Sequence, residues 1–272
     1  MLRQKDVNGE LINQTNVIDV ITQNRKLLPS ILNKVEETKE QGLSFRYKTI
    51  EAIKSFLFKE TQVLLFPSKA KDYGGLVTYR NGRYYIHINT GQPKTYENFI
   101  WAHEYYHYKY EAEAIKNSQI RTFFENAVLN EKERSANLFA AELLVDSRVL
   151  KALYEDMMSI YANDTLENNV IRLIPAFELP YKAIVVKLAQ DGLISEQEAV
   201  EIIDYDYRAN LPSDFDRSIL APTNAIKINH LGTLLEDQVV ESTMLPSDLK
   251  SFQALYQTYF TRLEGLREKE KE

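Results

Sequence analysis

Residues 101–110 read WAHEYYHYKY, and within them His103-Glu104-Tyr105-Tyr106-His107 places two histidines and a glutamate at a spacing that can do chemistry. On an α-helix, positions four apart differ by roughly 40° in direction and about 6 Å in height. His103 and His107 can therefore meet one zinc ion from one helix face. Glu104 lies about 100° round from His103 and about 60° from His107. There it flanks the metal face, too far round to be an easy ligand but able to touch a metal-held water. Two imidazoles and a general base form the hydrolytic zinc arrangement. The same residues also fit a surface helix with two histidines and a solvated glutamate. Two features weigh against that reading. The chain has only four histidines, His87, His103, His107 and His230, and two of them sit at ligand spacing. The flanks are also apolar, with Phe99, Ile100, Trp101 and Ala102 before and Tyr105, Tyr106, Tyr108 and Tyr110 after. A helix that apolar is mostly buried, and a buried histidine pair with a glutamate needs partners.

A catalytic zinc usually takes three protein ligands and keeps an open position. The candidate third ligand is Glu133, at the head of a segment that continues RSANLFAAELL. Taken in steps of three and four, its face runs Glu133, Ala136, Asn137, Ala140, Leu143 and Leu144, polar at the start and then small and apolar. Glu133 and Asn137 should point inward, and the alanines allow a second helix to approach closely. Asn137 could hold the free ring nitrogen of a ligating histidine. Glu133 also fits a capping box with Asn130, and Glu131 is a fallback ligand on another side of the helix.

HExxH followed by E-x-x-A-N-x-F-A-A-x-L-L resembles the ImmA/IrrE family of zinc metallopeptidases. The likeness runs over roughly residues 45–205. It implies a zincin-like core, zinc held by His103, His107 and Glu133, and Glu104 as general base. It also implies a site-specific protease acting in the cytoplasm on a helix-turn-helix repressor or antitoxin, in mobile elements or stress responses. The chain departs from the family where HELGH is usual: Tyr106 replaces the small residue, so the helix packed there must sit further away or be reshaped. Val145-Asp146 stands where a proline commonly follows the paired leucines. Two other classes stay open, a zinc-fold protein that binds a partner with little turnover and a direct DNA-binding regulator.

Composition bounds the rest. A chain of 272 residues with 44% hydrophobic and 26% charged residues can bury a substantial core. It has no cysteine, so disulfides and thiolate zinc sites are excluded and any zinc must use His and Glu. A net charge of −6 argues against general nucleic-acid binding. No apolar run approaches a membrane span, and the polar start MLRQKDVNGELINQ does not read as a signal peptide.

The expected fold is α+β and mostly helical, with a small β-sheet or hairpin and a helix-turn-helix-like unit. Residues 1–45 read as an N-terminal helical segment, 46–165 as the metallopeptidase core, 166–204 as the helix-turn-helix-like unit and 205–272 as a C-terminal helical extension. Val63–Phe66, ended by Pro67, reads as a strand. Leu76–Tyr79 and Tyr84–Ile88 flank Asn81-Gly82, a strong hairpin signal. A peptide could add to the edge of such a sheet. His87 reads as a half-exposed strand histidine and His230 as satisfied or exposed. The metal helix is placed near 96–115 with Thr95 as cap, and a further helical region covers about 119–145. Leu179-Pro180, Asp191-Gly192 and the box Ser195-Glu196-Gln197-Glu198 punctuate the 166–204 unit. Its candidate recognition helix offers only Lys182 and Lys187 among apolar residues, too few cations to read DNA. Ile226–Leu235 and Leu249–Leu266 look helical.

Overall fold

The computed structural model describes residues 12–68, 73–117, 130–229 and 231–269. Ahead of the sheet come α1 (Val17–Lys39), α2 (Leu43–Tyr47) and α3 (Thr49–Glu60). Val17, Val20, Ile21, Ile31 and Val35 form the buried stripe of α1, which stays one helix through Pro29. Gly42, at a φ of 151°, separates it from α2.

The sheet then forms from β1 (Gln62–Phe66), β2 (Gly75–Arg80) and β3 (Arg83–Asn89). Asn81 and Gly82 both take positive φ, 50° and 80°, as a tight primed hairpin turn requires. β3 runs antiparallel to β2, with Val77 opposite Ile86, and parallel to β1, with Val63 opposite Ile86. A short β4 (Lys227–Ile228) pairs antiparallel with β1, giving the order β2-β3-β1-β4. This corrects the expected helix over Ile226–Leu235. The outer side of β1 offers unpaired backbone groups, and residues 227 and 228 take them; helix starts only at Leu231. His87 is corrected as well. It is 7% exposed, stacked on Phe66 and bonded through Nδ1 to the Tyr73 hydroxyl, and burial lowers its pKa to about 4.

One face of the sheet packs on α4 (Lys94–Asn117), whose Ala112 carbonyl accepts from the Tyr84 hydroxyl at 2.9 Å. Thr95 is not its cap. The helix starts after Pro93, whose carbonyl takes the N–H groups of Tyr96 and Glu97, and Thr95 lies buried in the first turn. α5 (Glu131–Leu144) lies against α4, with Phe139 touching the rings of Tyr105, Tyr106 and Tyr110. Tyr106 therefore fills the contact between α4 and α5. Its hydroxyl accepts from Lys34 Nζ of α1 at 2.7 Å, and the same ammonium lies 4.5 Å from its ring centre. Tyr106 thus touches α1 through Lys34 as well as α5 through Phe139.

Asp146 ends this layer and opens α6 (Ser147–Ile160) by accepting from the N–H groups of Arg148 and Val149. α7 (Leu166–Phe177), α8 (Tyr181–Gln190) and α9 (Glu196–Ile202) follow with the expected punctuation: Pro180 before α8, Gly192 after it, and a complete capping box at Ser195 and Glu198. α8 is buried at Tyr181 and from Ile184 to Ala189. Lys187, 2% exposed, bonds both carboxylate oxygens of Glu142, at 2.8 and 2.9 Å, and also Ser147 and Asp191. Lys182 pairs with Asp204 at 2.7 Å. The unit is thus riveted to α5. A 3-10 turn at Arg217–Leu220 leads into β4, and α10 (Leu231–Leu235), α11 (Gln238–Thr243) and α12 (Pro246–Lys269) end the described chain. No described helix is long and apolar enough to cross a membrane. His230 and residues 119–129 of the expected helical region lie outside the described residues.

Candidate metal centre

α4 and α5 bring His103, His107 and Glu133 together, with one candidate ligand atom from each lying within 4.8 Å of the others. The two Nε2 atoms are 3.0 Å apart. Glu133 Oε2 lies 3.3 Å from His103 Nε2, and Oε1 lies 3.6 Å from His107 Nε2. The other ring nitrogens are held. His103 Nδ1 bonds Asn137 Oδ1 at 3.0 Å, and His107 Nδ1 bonds Glu111 Oε2 at 2.8 Å. A carboxylate only accepts, so His107 Nδ1 carries a proton, and the same follows for His103 Nδ1 against an amide oxygen. In neutral rings both Nε2 lone pairs then face each other and a carboxylate. Such a donor set is unstable without positive charge at its centre.

In the metal-free chain a proton supplies that charge. Burial alone would lower the pKa of His107, but Glu111 and Glu133 outweigh it and push it up to about 10. Burial would raise Glu133, yet the two imidazoles bonded to it hold it well below the ordinary carboxylate range. A metal ion can take the proton's place. Ligand atoms about 2.0–2.1 Å from a tetrahedral ion lie roughly 3.3 Å apart, close to the spacings seen here. The side chains of His103 and His107 are 9% and 11% exposed and that of Glu133 is 30%, so the cluster opens on the Glu133 flank.

Only half of the capping box expected at Glu133 forms in the structure. Asn130 does cap α5, accepting from the N–H groups of Lys132 and Glu133. The Glu133 side chain nevertheless faces the histidines, so its backbone serves the cap and its carboxylate the cluster. Glu131 is exposed. Glu104 is 4% exposed, and burial raises its pKa against the opposing pull of the two histidines, with the charge of Glu133 adding to the rise. β2 presses on it: a Cβ at Gly75 would lie 2.7 Å from Glu104 Oε1 and 2.8 Å from Ile100 Cγ2. Glycine alone lets the strand come this close. His87 stands on the other face of the sheet, outside the cluster.

Sequence reasoning missed Glu111 and Gly75. Glu111 was findable, since it follows His107 by one helical turn, the spacing that had already paired the histidines. Gly75 carried no such signal, because its role depends on which strand meets α4.

Comparison with known families matches residues 59–189 to the IrrE N-terminal-like domain, peptidase family M78. No curated protein and no solved structure gives a significant match to the chain.

Proposed function

Since residues 59–189 carry the IrrE N-terminal-like domain of a metallopeptidase family, we propose that this chain is a zinc-dependent endopeptidase of the cytoplasm that cuts a DNA-binding repressor or antitoxin at a limited site. The observation that carries the reading is the His103, His107 and Glu133 cluster, with both Nδ1 atoms already engaged and the buried Glu104 carboxyl on the next helical position. Two imidazoles and a carboxylate, with no thiolate, make a donor set of the hydrolytic zinc kind.

An ion held by His103, His107 and Glu133 would supply the activation of a water and the polarisation of a carbonyl. Asn137 and Glu111 fix the ring tautomers so that both Nε2 atoms offer lone pairs. Glu104 takes the proton of the attacking water and delivers it to the departing amine nitrogen. Burial of Glu104 suits this double task, because a raised carboxyl pKa makes it both a better base and able to give the proton back. β2 is an edge strand of the sheet and lies against Glu104. A peptide added along its free edge would pass the base in extended form, bonded through its backbone. The repressor or antitoxin target follows from the family resemblance alone. Direct DNA reading is not part of the proposal, since α8 is packed inside and both its lysines are engaged.

The test is elemental mass spectrometry on wild type, Glu104→Gln and Glu133→Ala, each confirmed folded, joined to co-expression with helix-turn-helix partners. About one zinc per chain in the first two and little in the third is expected, with partner cleavage only in wild type. Cleavage by Glu104→Gln at the wild-type rate would sink the catalytic assignment. Wild type that takes up no zinc even after reconstitution would sink the metal centre.

A further inference from the structure

Half of the exposed large hydrophobic side chains among the described residues fall between Leu231 and Tyr259, in the terminal helices. On α12 they belong to a regular pattern. Asp248, Phe252, Leu255, Tyr259 and Arg262 follow one another in steps of four and three. Seven residues fall just short of two helical turns, so such a stripe drifts by only about 20° per heptad and runs nearly straight along the helix. Phe252, Leu255 and Tyr259 are 52%, 50% and 53% exposed, and Asp248 and Arg262 are exposed as well. The neighbouring flank is the covered one. Leu249 is buried, Tyr256 and Phe260 are half-buried, and Gln253 donates to the Leu235 carbonyl of α10. Gln253 lies about 100° round from Phe252. α10 has 5 residues and α12 has 24, so the shorter helix covers one flank and leaves the stripe bare. Apolar residues at alternating steps of three and four are the seam by which helices pair.

The charges on the stripe decide what fits it. Asp248 and Arg262 each lie seven residues from Leu255, one on either side. That is about 10 Å along the helix in each direction. The Asp248 carboxylate accepts from the adjacent Ser247 hydroxyl at 3.3 Å, and neither it nor Arg262 forms an ion pair among the described residues. We propose that the chain self-associates as a two-fold dimer in which the α12 stripes of two copies cross antiparallel, centred on Leu255. The two-fold axis sets Leu255 against its own copy and brings Asp248 of each chain to Arg262 of the other. Parallel pairing would instead set Asp248 on Asp248 and Arg262 on Arg262. The stripe is thus complementary to itself in one direction only. Three half-exposed side chains from each copy bury less than a standard interface, so the dimer is weak and concentration-dependent.

The test is sedimentation velocity on the full chain and its variants, each confirmed folded by circular dichroism, from about 1 to about 200 μM. Wild type should pass from monomer to dimer across that range. Leu255→Asp puts two carboxylates on the axis and should stay monomeric throughout. Arg262→Asp sets like charges face to face twice and should weaken the dimer about tenfold. Exchanging the pair, Asp248→Arg with Arg262→Asp, should restore the wild-type constant. Parallel pairing predicts no loss from Arg262→Asp, since its charges already meet like to like. Unchanged affinity in Arg262→Asp, or no recovery on exchange, therefore overturns the antiparallel seam. Wild type that remains monomeric overturns the proposal and leaves the stripe to a different partner. A dimer that persists in Leu255→Asp places the interface elsewhere and overturns it too.

Discussion

At the scale of residues, the centre is a contest between one proton and one metal ion for the same electron pairs. Glu111 and Glu133 push the pKa of His107 up to about 10 in the metal-free chain. At that pKa the imidazole would hold a proton across the neutral range, and a zinc ion entering the cluster would have to displace it. Apparent zinc affinity should fall roughly tenfold for each pH unit lowered, for one proton released. Competition with a chelator at several pH values measures this, and a flat profile would show that no ligand proton is released. The stability of the metal-free fold runs the opposite way with pH. The folded pKa of His107 lies above its unfolded value, so its contribution to the metal-free fold is complete below about 6.5. That contribution is lost as pH rises towards about 10. The placement of the histidine pair, Glu104 and Asn137 was legible because it follows from helical spacing, which a sequence displays directly. Glu133 stood open between cap and ligand. The choice depended on where its carboxylate points once its backbone is capped.

At the scale of elements, β2 and α8 each test a different contact. Gly75 lets β2 lie against Glu104, where a Cβ would come within 2.7 Å of its Oε1. Gly75→Ala should keep zinc, cost about 1–3 kcal/mol of stability by overpacking, and lower activity by about 10²-fold, since small displacements of a reacting group are that costly. Retained activity would mean that the strand yields and does not position the base. Lys187 is the rivet between α8 and α5, 2% exposed and bonded to Glu142, Asp191 and Ser147. Lys187→Ala leaves the buried Glu142 carboxylate without its cation, held only by the Gln190 amide, and should cost about 3–5 kcal/mol in denaturant unfolding. A loss below about 1 kcal/mol would show that water or a rearranged side chain replaces the ammonium. The hairpin, the break at Gly192 and the capping box were readable because turn and cap residues act over a few positions. β4 was not readable, since two residues become a strand only beside the unpaired side of β1.

At the scale of the whole molecule, the last helices pack mainly on one another, α10 against α11 and α12. α12 lies on α10, where Gln253 donates to the Leu235 carbonyl and Leu235 and Leu249 are buried, while Phe252, Leu255 and Tyr259 remain half exposed. Ending the chain after Asn229, which keeps β4, should leave zinc content and Tm near wild type. Loss of zinc from that truncated protein would show that the terminal helices support the metal centre. By itself the sequence determined the donor types, the helical spacing that lets two histidines share an ion, and the mostly helical class with one small sheet, because these are properties of local order along the chain. Only the tertiary structure decided that Glu133 turns to the histidines, that Glu111 holds His107, that Lys34 of α1 meets Tyr106, and that α8 is core. Those outcomes depend on distances between elements far apart in the chain, and burial and charge compensation across such distances are settled only when the elements pack.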